Sequence, residues 1–215
     1  QSMFLKVASI KDYSGLPVFH SLATNNFEPF MARLVRIRQV YVLSADMLCM
    51  KCGTGESIIH KQLLSLPHSQ TQMYPSELNT RGSKSSYDYY TGETERRRRI
   101  TSDISEDLLT ILNLLDNNKE RLKVLVDKNP DSFSTLHLLS VTLTEYVGQI
   151  LEVLDTGDIP KALSVATTGG DTIIHTLCRY RPLTMLQALR NVRAVDLAEP
   201  LIKQNMDGNT PVHIL

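Results

Sequence analysis

Six histidines occur in 215 residues, and five of them stand in one frame. His20, His60, His137, His175 and His213 are separated by 40, 77, 38 and 38 residues, so the long gap reads as two units with one histidine missing. The neighbours keep the same frame. Five residues before the histidine stands glycine in four of five cases (Gly15, Gly55, Gly170 and Gly208), with Ser132 as the exception. Three residues before it stands Ser or Thr in four of five (Ser57, Ser134, Thr172 and Thr210), with Pro17 as the exception. Two residues after it stands Leu22, Leu139, Leu177 or Leu215, with Gln62 as the exception. Chance does not produce three agreeing columns around a rare residue. Self-similarity at such a period marks units that bury their apolar faces only by stacking on one another.

The columns make physical sense together. Glycine permits a tight turn with positive φ. The Ser or Thr that follows caps the amino end of a helix with its hydroxyl. Proline, present as Pro211, suits the first helical position, where no amide hydrogen is needed. Residues 207–213, Asp-Gly-Asn-Thr-Pro-Val-His, therefore read as turn, cap and helix start. This frame resembles the ankyrin repeat and its G-x-T-P-L-H signature, with looser versions at 170–175 and 55–60. The resemblance covers about five-sixths of the chain. Its spacing, nearer 38 than the usual 33 or so, and Leu or Gln62 in place of the Ala common two residues after the histidine, predict long loops between helices and altered packing. The fold it implies is all-α: a solenoid of stacked helix pairs.

Between these marks the sequence predicts helices over 17–23 and 27–37, with 40–50 running on beyond a standard loop, and a further helix from 57 to about 66. Residues 67–100 are rich in Ser, Thr, Tyr, Gly and Gln and lack aliphatic periodicity, which predicts a polar, partly mobile insertion. Beyond it, 103–116 and 118–128 read as a complete degenerate unit without its histidine. Helices are then expected over 134–143, 145–154, 172–180 and 183–192, with an added segment at 195–203 and a final start at 210–215. The organisation expected is units one and two over 4–66, the insertion over 67–100, and units three to five with the opening of a sixth over 101–215. Gln1-Ser2-Met3 reads as a tag remnant, and the chain as a fragment of a larger protein.

Composition narrows the chemistry. Lys plus Arg equals Asp plus Glu at 23 each, so no global field points to nucleic acid. No apolar run reaches membrane-spanning length. Cys49, Cys52 and Cys178 are too few for a disulfide framework and read as reduced thiols. The C-x-x-C at 49–52 lacks the second ligand pair that zinc needs. Five histidines at a fixed place in stacked units would stand in a row on the order of 10 Å apart. That is too far to share an ion at about 2 Å, so neither metal nor cofactor is expected. In ankyrin repeats this ring hydrogen-bonds the capping hydroxyl and the neighbouring backbone. No G-x-S-x-G, phosphate-binding glycine loop or H-E-x-x-H appears, so no enzyme and no small-molecule substrate is expected. Arg96-Arg97-Arg98-Arg99 reads either as a basic patch for an acidic partner or nuclear import, or as a solvated run.

What the resemblance implies is a protein–protein interaction module, a scaffold or regulatory domain working in cytoplasm or nucleus. Its contact residues would lie on turn tips and inner helices, with Tyr13, Glu56, Asp131, Asp171 and Asn209 as candidates. Three parent classes stay open: an inhibitor resembling the family that retains Rel transcription factors, a bacterial effector engaging a host protein, and the substrate-recruiting part of a multidomain enzyme.

Overall fold

The structure, a computed structural model, describes residues 6, 7, 9–13, 15–21, 44–64, 66 and 104–215. Among them the chain is all-α, with three isolated antiparallel bridges and no sheet. The expected helix at 27–37, the insertion at 67–100 and the arginine run Arg96–Arg99 lie outside the described residues.

The helices are α1 (Val18–Ser21), α2 (Ala45–Leu48), α3 (Ile58–Leu64), α4 (104–114), α5 (Asn118–Val126), α6 (Thr135–Thr142), α7 (Val147–Leu151), α8 (Ile159–Leu163), α9 (Ile173–Tyr180), α10 (Pro182–Leu189), α11 (Ala194–Ile202) and α12 (Pro211–Ile214). Each is short, so packing rather than propensity holds it. The histidine-bearing helices α3, α6, α9 and α12 pack side by side in that order. A second row, α2, α5, α8 and α11, packs in the same order behind them. Helix α7 lies against α10. Gly148 on α7 allows that approach, since a β-carbon there would stand 2.8 Å from the Ala188 carbonyl oxygen.

The second row has a leucine signature. Leu48, Leu125, Leu163 and Leu201 each stand twelve residues before the next frame histidine. The first three are fully buried, and burying such a side chain stabilises by roughly 1.5–3 kcal/mol. The same column bears on two expectations. The pair α4–α5 does not separate α3 from α6. Helix α3 packs directly on α6, and α5 takes the place in its row that α8 and α11 take in theirs. Across the 77-residue gap between histidines α3 and α6 are therefore direct neighbours, and the gap exceeds 38 by 39 residues. The extra residues of the 38-residue spacing also do not make long loops. They build α8 and its preceding 3-10 turn (Thr156–Asp158), where no helix was expected, and α11, which belongs to the second row rather than being an isolated addition.

Long basic side chains tie neighbouring units through backbone carbonyls. Arg181 donates from Nε and Nη2 to the Val141 carbonyl at 3.1 and 2.8 Å, closing the carboxyl end of α6. Arg121 donates to Leu112 and Val153 carbonyls, both at 3.1 Å. Carbonyls at helix ends have no intrahelical donor, and a guanidinium supplies several at once.

Candidate interaction surface

The same turn is built five times. The residue five before each histidine donates its N–H to the carbonyl eight before it: Gly15 to Asp12, Gly55 to Cys52, Ser132 to Asn129, Gly170 to Thr167 and Gly208 to Asn205, at 2.9–3.0 Å. In return the residue eight before donates to the carbonyl four before, again at 2.9–3.0 Å. The pivot is left-handed at every turn, with φ of 78°, 80°, 65°, 81° and 77°. Ser132, the exception in the glycine column, adopts the glycine conformation nonetheless. A column not noticed in the sequence assists. The side chains of Asp12, Asn129 and Asn205 each accept from the backbone N–H four residues on, at 2.9 Å. That is the local turn bond that favours Asp and Asn here.

Each turn leads into a cap in which the histidine is the reciprocal partner. Ser134 N–H donates to His137 Nδ1 at 3.2 Å, Thr172 N–H to His175 Nδ1 at 3.1 Å and Thr210 N–H to His213 Nδ1 at 3.2 Å. Ser57 and His60 repeat the pair at 3.3 Å. The cap hydroxyls also stand 2.6–3.0 Å from the same nitrogens. Because Nδ1 accepts, the proton of the neutral ring is on Nε2. That N–H donates to a carbonyl just before the next turn, His20 to Met50 at 2.7 Å and His60 to Asp127 at 2.9 Å, or within it, His137 to Asp171 at 3.1 Å and His175 to Asn209 at 2.9 Å. Burial lowers the pKa of His60 and of His137 to about 4, and lowers that of His20. At neutral pH these three rings are therefore uncharged. Pro17, the exception in the cap column, offers neither hydroxyl nor N–H. The buried Nδ1 of His20 correspondingly finds no partner among the described residues.

Consecutive turns sit tip upon tip. A β-carbon on Gly55 would meet Pro130 Cγ at 2.8 Å, and one on Gly170 would meet Met206 N at 2.8 Å, so the pivot must lack a side chain where the next tip lies on it. At Ser132 the side chain is used instead: its Oγ accepts from Thr168 N at 2.7 Å. The two residues at the apex of each turn are exposed wherever they are described, namely Tyr13, Gly53, Thr54, Pro130, Asp131, Thr168, Gly169, Met206 and Asp207.

Of the candidate contact residues, Tyr13 and Asp131 stand on these apices and are exposed. Glu56, Asp171 and Asn209 do not; they lie beneath the apex, half-buried and engaged. Glu56 accepts from Thr54 at 2.9 Å, and Asp171 accepts from Asn205 at 2.7 Å and from Arg179 at 2.9 Å. The Asn209 carbonyl is held by His175. The inner helices also offer less than expected: every residue of α6 is buried, and Ser140 and Thr142 turn their hydroxyls onto carbonyls of their own helix.

The two thiols of the C-x-x-C pair are free and have different partners. Burial pushes the Cys49 thiol up to about 12, and its Sγ lies 3.9 Å from the Lys123 carbonyl. Burial pushes the Cys52 thiol up too, but the Thr54 hydroxyl at 2.9 Å, the Thr54 and Glu56 backbone and Lys61 together outweigh it and lower its pKa. Among the described residues no three His, Cys, Asp or Glu side chains are placed to share an ion, and no helix is long and apolar enough to cross a membrane.

No family model matches this chain, and neither does any curated protein or any solved structure.

Proposed function

We propose that the chain is an ankyrin-type solenoid of four units and the opening of a fifth, and that it binds another protein through the ridge of its turn apices. The observation that supports this most is the fivefold turn with its exposed apex. Each apex is held by two backbone hydrogen bonds and a left-handed pivot, and the first four also by contact with the next turn. Holding an apex rigid before contact lowers the ordering cost of association. Apex side chains differ from turn to turn while the pivots beneath keep one geometry, which separates recognition from support. The half-buried Glu56, Asp171 and Asn209 belong to the support.

An affinity capture with the intact chain as bait tests the reading, run beside a variant carrying Tyr13→Ala, Asp131→Ala, Met206→Ala and Asp207→Ala. These side chains are exposed, so the variant keeps its melting temperature. It is expected to lose the partner that the parent chain retains. Retention of the same partner by the folded variant moves the contact away from the apices. A purified chain that captures nothing specific yet hydrolyses or transfers a substrate group is an enzyme, and the reading fails.

A further inference from the structure

Two stretches of chain that meet in the stack are joined only through residues 67–103, which are 37 in number. Across that break α3 packs on α6 and α2 on α5. Polar ties hold the two sides. Lys51 Nζ donates to Asp127 Oδ2 at 2.6 Å and to the Lys128 carbonyl at 2.7 Å. Glu120 accepts from the Ala45 N–H at 2.5 Å and so serves the amino end of α2 from another helix. His60 donates to the Asp127 carbonyl, and the Thr135 hydroxyl lies 3.2 Å from the same ring nitrogen. Lys123 and Asp46 also pair, at 2.5 Å, but both are exposed, and such pairs add little. Apolar packing completes the contact. Met47, Leu48, Ile58 and Leu63 before the break, and Leu125 and Leu136 after it, are at most 1% exposed.

The lysine marks this as a unit interface like the next one. Lys51 and Lys128 each stand nine residues before a frame histidine. Each donates to the carbonyl nine residues before the next frame histidine, Lys51 to Lys128 at 2.7 Å and Lys128 to Ala166 at 2.6 Å. One bond spans 77 residues of chain and the other 38, with no change of pattern.

We infer that the α2–α3 part of the chain is held on α5–α6 by this surface alone, so that the stack survives a cut between residues 66 and 104. Each tie above joins residues 45–60 to residues 120–135, and none of them needs the connecting chain. What the connection adds is local concentration, of roughly millimolar order for two linked faces. The length of a loop changes that only slowly. The partner that α5–α6 accepts is defined by its chemistry. It is a buried apolar helix pair that brings a lysine to the Asp127 carboxylate, a neutral imidazole N–H to the Asp127 carbonyl and a helix-end amide to Glu120. A chain cut there keeps its second to fifth turns in place, and with them most of the ridge proposed to bind a partner. The inference does not rest on that binding role.

A single cut tests it. A protease recognition sequence with Gly-Ser flanks is inserted between Ser85 and Ser86 of the full chain, and the folded protein is cleaved. At about 10 µM, roughly 100-fold below the concentration that the connection supplies, the two pieces are expected to sediment together as one particle. The melting temperature of the cut chain should fall on dilution, as for any two-part complex, while that of the uncut chain does not move. Lys51→Met removes both lysine bonds at a partly exposed site and keeps the apolar contact. Its uncut form should keep its circular dichroism. Its cut pieces should part at about 10-fold higher concentration than the parent's, as expected for the loss of a charged hydrogen bond. Lys123→Ala removes only the exposed pair and should hold within about twofold of the parent. Pieces that separate at every concentration, or a chain that unfolds on cleavage, overturn the inference. So does a Lys51→Met variant that holds no less tightly than Lys123→Ala. Partner capture is not measured, so this test and that of the binding role fail separately.

Discussion

Gly170 and Gly208 share a backbone conformation, with φ of 81° and 77°, but not an environment. A β-carbon on Gly170 would lie 2.8 Å from Met206 N and 2.9 Å from Asn205 Cα, whereas one on Gly208 meets nothing within 4 Å. Gly208→Ala is expected to cost the left-handed strain alone, about 1–2 kcal/mol. Gly170→Ala adds a backbone clash that forces the next turn to move, and is expected to cost roughly 3 kcal/mol or more. Urea denaturation of the two variants decides it; equal losses would mean that the tips are not in rigid contact. Ser132 poses the reverse question. Ser132→Gly relieves about 1–2 kcal/mol of strain but removes the bonds to Thr168, about 1 kcal/mol each. It should fall within about 1 kcal/mol of the parent chain. Ser132→Ala keeps the strain and loses the bonds, so it should be destabilised by about 2 kcal/mol; a stabilised alanine variant would refute the assigned role of the hydroxyl. The columns themselves were legible in sequence. What no column tells is which exceptions the backbone overrides, and the two that stand out, Ser132 and Pro17, are where the structure carries a left-handed side chain and a ring nitrogen without a partner among the described residues.

At the scale of helices, the pattern that was read and the pattern that was missed differ in kind. The caps at Ser57, Ser134, Thr172 and Thr210 are local, and four residues suffice to recognise each. The leucine column twelve residues before the histidine is equally regular, but its meaning is tertiary: it marks the row α2, α5, α8, α11. Without it, α4–α5 passes for a unit of its own, because two apolar helices of ordinary length look the same wherever they sit. Short α8, only five residues long with Pro160 in its first turn, gives no periodicity to read. The row makes a graded prediction. Leu163 is fully buried, with α5 and α11 packed on its helix, whereas Leu201 on the terminal α11 is only half-buried. Leu163→Ala is expected to cost about 2–5 kcal/mol, as for other fully buried leucines. Leu201→Ala should cost about half as much or less, since little cavity is left where one side is open to solvent. Calorimetry of the pair measures the difference, and equal melting temperatures would show that α8 and α11 are not in one row.

For the whole molecule, the stack is held by rings that must stay neutral. His60 and His137 each accept from the cap N–H at Nδ1 and donate Nε2–H to a carbonyl of the following unit, so a protonated ring sets an N–H against an N–H. The folded pKa of His60 and of His137 is about 4 against an ordinary 6.5. Between those values the unfolded chain binds protons that the folded chain refuses, so stability falls as pH falls. The contribution is complete above about pH 6.5 and is lost progressively down to about pH 4. Below that the loss levels off because the folded rings protonate too. At pH 5 each ring is expected to cost about 2 kcal/mol, or about 4 kcal/mol together. That is a large part of the roughly 5–15 kcal/mol available to a folded domain. Asp127 works the other way: burial raises its pKa, so its share of stability is lost as pH rises and offsets part of the histidine effect in acid. His20 adds to the histidine side, its pKa being lowered by burial. Urea titrations at neutral and mildly acid pH should therefore show a steep acid loss. A His60→Asn, His137→Asn variant, weaker at neutral pH because the caps and unit contacts are cut, should show a much flatter one. A parent chain equally stable at both pH values would mean that the rings titrate normally and do not link the units. A stack in which each helix set touches only its neighbours loses those contacts in series, so the acid transition should broaden rather than remain one sharp step.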